Sequence, residues 1–177
     1  MLRKAKGQIN IEYIVSMTLF ITIAIYFALQ VMQRTPAYIR ASRTEYLQSE
    51  AYQISELIIN NAGEPSNWET VWQSSPQSVF RLGLSSGQKV NLLSTAKIQM
   101  IGTACSSAPN YYGNVQSRLG IDPQDYQISI FIKDAVSGAT LLDCMPTSIT
   151  SRQSVVTFKR TVALDSGNYG ELTIQAW

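Results

Sequence analysis

Hydrophobic positions crowd toward one end of this chain. Ile9–Met32 reads INIEYIVSMTLFITIAIYFALQVM, with Glu12 as its single charge. Within it, Tyr13–Leu29 contains no charge, proline or glycine. As a helix, the stretch reaches about 36 Å at about 1.5 Å per residue, enough to cross a hydrocarbon layer of about 30 Å. It is longer than the apolar core of a secretory signal, and Ala28-Leu29-Gln30 is a poor cleavage site. A retained membrane helix is therefore predicted. After Pro36 an amphipathic pattern resumes: Leu47, Ala51, Ile54 and Ile58 recur at helical spacing, with Glu45, Glu50 and Glu56 off the stripe. Asn60-Asn61-Ala62-Gly63-Glu64-Pro65 carries the glycine and proline that end a helix.

The remaining pattern predicts a small α+β head. Gly63–Trp68 reads as a turn-rich entry and Val79–Leu84 as a short strand. Ser94–Ile101 reads as a helix capped by Ser94 or Thr95, and Pro109–Leu119 as another stopped by Gly120. The period then switches to two. Tyr126, Ile128, Ile130 and Ile132 alternate with Gln127, Ser129, Phe131 and Lys133, and Asp134–Gly138 turns the chain into Ala139–Cys144. Val155–Leu164 and Glu171–Trp177 flank a second turn at Asp165–Gly170. Four strands with the helix stripe over one face give the expected antiparallel meander.

Charge and composition narrow the functions open to such a chain. Its 177 residues are 45% hydrophobic and only 15% charged. Arg3, Lys4 and Lys6 account for the small positive balance; without residues 1–7 the chain carries eleven basic and twelve acidic side chains. No nucleic-acid footprint remains. The absence of histidine excludes Ser-His-Asp and Cys-His catalysis and imidazole metal sites. No catalytic constellation, phosphate loop or cofactor motif is present, and neither an enzyme nor a cofactor is expected. Asp122, Asp125 and Asp134 match no EF-hand spacing, and Asp122-Pro123 opens a turn.

Two features stay open. Cys105 and Cys144 are either a disulfide, if the head lies outside the cell, or two buried thiols. Trp68, Trp72, Tyr111, Tyr112, Tyr169 and Trp177 either fill a small core or form a contact surface, with Tyr111-Tyr112 beside Gly113-Asn114 the best surface candidate. The charge rule for membrane orientation is nearly balanced, because Arg34, Arg40 and Arg43 follow the helix as closely as Arg3, Lys4 and Lys6 precede it.

Glu12 breaks that balance. An acid costs about 3 kcal/mol at mid-membrane and less near an interface. A cut between Gly7 and Gln8 would create an α-amino group four residues before Glu12, and an ammonium and a carboxylate in hydrocarbon each need a partner. The run Lys6-Gly7-Gln8-Ile9-Asn10-Ile11-Glu12-Tyr13, followed by an apolar helix, resembles the archaeal class III signal peptide of type IV pilin-like proteins. Asn10 stands where that family prefers serine. The resemblance implies cytoplasmic cleavage by a prepilin peptidase at Gly7–Gln8, recognition through Lys6, Gly7, Gln8 and Glu12, and a chain that ends up outside. The order Gly63-x-Pro65-x-Asn67-Trp68, Leu82-Gly83-Leu84, Leu119-Gly120-Ile121 and a final strand ending in Trp177 is also similar to archaeal pilin-like proteins.

These readings divide the chain into a leader (1–7), a transmembrane and assembly helix (8–33), its amphipathic continuation (34–62) and an extracellular α+β head (63–177). The function expected is a structural pilin-like subunit. It would sit in membrane lipid before assembly and then pack against other pilin subunits, like or unlike, in a surface filament. Gln8 and Glu12 would set the assembly register. The alternative is a minor tip subunit or a membrane-anchored, adhesin-like surface-binding protein.

Overall fold

A computed structural model describes residues 11–87, 89–106, 111–121, 126–146 and 155–177. The chain divides into two compact units, Met1–Arg43 and Thr44–Trp177. One helix, α1 (Ile11–Asn60), contributes to both and continues through Pro36. Proline costs a helix one backbone bond, a loss that a long flanking run absorbs. The fold class is α+β, as the sequence predicts, with a long N-terminal helix followed by a sheet.

In the second unit the expected stripe is the buried face of α1: Leu47, Ala51, Ile54, Ser55, Ile58 and Ile59. Two of the acids beside it reach other elements. Glu50 accepts the Tyr126 hydroxyl at 2.9 Å, and Glu56 pairs with Arg160. The elements that follow are α2 (Trp68–Ser74), a single 3-10 turn at Pro76–Ser78, β1 (Leu92–Leu93), α3 (Thr95–Ser106), α4 (Tyr111–Arg118), β2 (Ile128–Asp134), β3 (Thr140–Cys144), β4 (Val156–Leu164) and β5 (Tyr169–Ala176).

The sheet differs from the expected antiparallel meander. It has five strands in the order β1-β4-β5-β2-β3, and β1 runs parallel to β4. The hairpins β2–β3 and β4–β5 form as predicted, but β5 pairs with β2 rather than β3 with β4. Burial decides this pairing. Ile128, Ile130 and Ile132 on β2 and Leu172, Ile174 and Ala176 on β5 are almost wholly inaccessible, so these two strands take the centre. β4 alternates half-buried with exposed positions over most of its length, and β1 borders it only at Ala163 and Leu164. The side chains facing away from the core include Phe131, Lys133, Lys159, Glu171 and Thr173.

One further expectation changes, and one element is new. Val79–Leu84 is not a strand: Arg81 within it makes an isolated bridge to Glu64, and a second bridge, Ser85–Leu93, follows it. Its backbone is used elsewhere: Leu82 N–H donates to Arg118 O at 3.2 Å and Leu84 N–H to Ile58 O at 2.9 Å. The turn-rich entry forms as predicted and leads into a helix the pattern did not predict, α2, whose Trp68 and Trp72 meet edge to face at 6.2 Å.

The end of α1 organises this region. Helix C-termini leave carbonyls without partners. Here Ile58 O accepts Leu84 N–H and Asn61 O accepts Ser85 N–H at 3.0 Å. Ala62 O accepts the Lys97 ammonium at 2.6 Å, and Ser85 O accepts it at 3.1 Å. Lys97 is 3% exposed. Burial lowers its pKa from the usual lysine value, and the Glu69 charge opposes that. Gly63 turns the chain at φ +89°, and a side chain on Gly83 would collide with the Asn61 carbonyl. Trp68, fully buried, donates its indole N–H to Gly83 O at 2.8 Å. The motif Gly63–Trp68 with Leu82-Gly83-Leu84 is thus one cap built from two segments.

Lys97→Met keeps the apolar stem and leaves the Ala62 and Ser85 carbonyls unpaired. It is expected to destabilise the fold by about 1–3 kcal/mol. Urea unfolding of the full chain followed by tryptophan fluorescence reads the change; an unaltered midpoint would show that the two carbonyls find other partners.

Candidate functional site

The first unit offers a surface rather than a pocket. Within α1 lies an 18-residue window of mean hydropathy 2.1, none of it buried. This is the one candidate membrane span among the described residues, long and apolar enough to cross a bilayer. Large side chains from Ile11 to Met32 stand exposed all round, Phe20 at 72% and Met32 at 71%. Apolar surface this extensive is unusual on a protein that meets only water.

Several polar side chains within the span are satisfied locally. Thr18 donates to Ile14 O and Thr22 to Thr18 O, both at 2.8 Å, and Gln30 donates to the Tyr26 hydroxyl at 3.0 Å. Internal bonds of this kind let a helix carry hydroxyls into hydrocarbon without leaving donors bare. Glu12, within α1, is exposed. Lys6, Gly7 and Gln8 lie outside the described residues, as does the whole leader.

In the second unit the structure joins Cys105 to Cys144, 39 positions apart in sequence, with Cα atoms 5.4 Å apart. The bond ties α3 to β3, next to the core. The two thiols of the other reading are therefore one disulfide. Asp134 joins the two hairpin turns: Oδ1 accepts the N–H groups of Val136 and Ser137 in its own turn at 2.9 and 2.8 Å, and Oδ2 accepts the Asn168 amide of the β4–β5 turn at 3.0 Å. Those bonds, the Ser137 and Val136 amides foremost, hold its pKa below the usual carboxylate value. Asp122 and Asp125 lie outside the described residues.

Among the aromatics, Trp68, Trp72 and Trp177 are buried and serve the core. The Arg118 guanidinium stacks over the Trp72 ring at 5.0 Å and donates to Val79 O. Tyr169 is 61% exposed. The side chains of Tyr111 and Tyr112 lie outside the described residues.

Two working residues escape the sequence reading. Lys97 falls on the apolar stripe of α3 with Ile98, Ile101, Ala104 and Cys105, and a lysine within such a stripe is the signal that was there to read. Asp165 caps α3 from a distance of 70 residues, accepting Thr95 N–H at 3.0 Å and the Thr95 hydroxyl. Burial raises its pKa, but the bonds from Thr95 and Ser94 outweigh that and leave it lowered.

Comparison with known protein families, curated proteins and solved structures finds no match to this chain.

Reduction of Cys105–Cys144 is expected to lower stability by about 2–4 kcal/mol, read as a shift of the urea midpoint with and without a thiol reductant. Asp134 and Asp165 both have lowered folded-state pKa values, so the stability they contribute is present above the ordinary aspartate value of 3.8. It is lost as pH falls through the lower folded values. Asp134→Asn and Asp165→Asn should each make the acid limb of a stability–pH curve shallower; a limb as steep as in the parent would rule that residue out as a contributor.

Proposed function

We propose that this chain is a pilin-like structural subunit, cut between Gly7 and Gln8 by a prepilin peptidase and assembled through its N-terminal helix into a type IV pilus-like surface filament. The observation that carries the reading is the exposed apolar run Ile11–Met32 with Glu12 as its single charge. Such a run needs lipid or other protein around it. Bringing helices together removes apolar surface from water at about 25 cal/mol per Å². Glu12 gives the pairing a register, because a carboxylate in apolar surroundings demands a cation and the new amine at Gln8 is one. The Cys105–Cys144 bond supports a head on the outer side of the membrane, where disulfides persist. The chain's role in this reading is structural, and its partners are the peptidase, lipid and further pilin subunits.

Protein purified from its native membrane is expected to begin at Gln8, as intact mass or N-terminal sequencing would report. A start at Met1 or Leu2 would replace this reading with that of an uncleaved, membrane-anchored surface protein. Glu12→Ala should leave much of the cleavage in place and lower filament yield by about tenfold or more; an undiminished yield would remove Glu12 from the assembly contact.

A further inference from the structure

The arginines that follow the membrane stretch are not used by the proposed assembly contact. With the head outside, Arg34, Arg40 and Arg43 oppose the usual charge bias of membrane proteins, and an anion at Arg34 would offset part of that bias. No acid occurs between Glu12 and Glu45, and among the described residues no carboxylate pairs with Arg34.

Arg34 lies in a groove along one side of α1, about 510 Å³ in volume, lined by Tyr26, Phe27, Gln30, Val31, Arg34 and Tyr38, with Thr35 beside them. Tyr26, Gln30, Arg34 and Tyr38 recur every four residues and so share one face. The groove changes character along its length. Phe27 and Val31 give it apolar walls within the membrane stretch, and Arg34 follows two residues after Met32. At about 1.5 Å per residue, the guanidinium is anchored about 3 Å beyond the apolar stretch, at headgroup depth. Tyr26 and Tyr38 are 59% and 73% exposed and flank that level, where amphipathic rings collect in membrane proteins.

We propose that this groove binds an anionic phospholipid, its acyl chain along Phe27 and Val31 and its phosphate on Arg34. A planar guanidinium holds two phosphate oxygens at once, which suits Arg34 better than a lysine would. Arg40 and Arg43 stand further out, about 12 and 17 Å past Met32 along the axis. Long helical side chains lean back toward the N-terminus, which brings both within about one Debye length of the headgroups. The proposal rests on the membrane-spanning reading of α1 and adds the ligand of that span.

The test uses the full chain and its R34Q and R34Q/R40Q/R43Q variants, all altered at exposed positions. Each is reconstituted into vesicles of equal parts dioleoyl phosphatidylglycerol and dioleoyl phosphatidylcholine. Alkaline carbonate extraction checks insertion, and native mass spectrometry of the solubilised protein counts retained lipids. The parent is expected to retain phosphatidylglycerol over phosphatidylcholine by about fivefold or more, since one basic side chain at an anionic surface contributes about that factor. R34Q should lose most of the preference and the triple variant all of it. Equal retention of the two lipids by the parent, or a preference that survives R34Q/R40Q/R43Q, would overturn the proposal and leave the membrane span standing. Release of the parent by carbonate would overturn the span and the proposal together. A triple variant that keeps its lipid preference but loses self-association would assign the arginines to a second copy of this chain instead.

Discussion

The carbonyls at the end of α1 set the terms for the second unit. A helix that stops in water leaves its last acceptors to solvent; this one stops against buried Ala62, Leu82 and Leu84, where water is scarce. Ile58, Asn61 and Ala62 are served by Leu84, Ser85 and Lys97, which belong to a loop and to α3. An unpaired buried acceptor costs about 1–3 kcal/mol, so these contacts are obligatory once α1 ends where it does. They require the close approach at Gly83, the positive φ at Gly63 and the indole of Trp68 over the same strip of backbone. A buried ammonium is costly on its own account. It is retained because it closes two carbonyls that belong to different segments.

The two parts of α1 solve opposite solvation problems with one secondary structure. From Leu47 to Ile59 the apolar side chains form a stripe, and a sheet with its own apolar face accepts it. From Ile11 to Met32 they go all the way round, and among the described residues they stand exposed. The first arrangement is complete within one molecule. The second is completed by an environment, whether lipid chains or the same surface on a neighbour. Thr18 and Thr22 fit either surrounding because their hydroxyls already have acceptors.

What was legible in the sequence followed periodicity. The stripe Leu47–Ala51–Ile54–Ile58, the β2–β3 and β4–β5 hairpins and α3 were all readable, because each rests on neighbours close in sequence. The partner of each hairpin was not, since pairing β5 with β2 joins residues about 40 apart and is decided by relative burial. β1 is too short to leave a pattern, and Val79–Leu84 alternates like a strand while its amides serve a helix end. Part of the candidate site was equally legible: the unbroken apolar run and its lone acid can be read off without coordinates. The Tyr26–Arg34 groove could not be, because it takes a helix to align residues four apart into one wall.

Strand order has a consequence for how the molecule is made. β5, the strand translated after the other four, lies between β4 and β2 rather than at a rim. Until it leaves the ribosome, the β2–β3 hairpin and the β1–β4 pair have no common neighbour and no closed hydrogen-bond ladder. The apolar helix emerges far earlier. Folding is therefore ordered in time: the apolar segment is made first, and the sheet locks only when β5, the strand its two halves share, is complete.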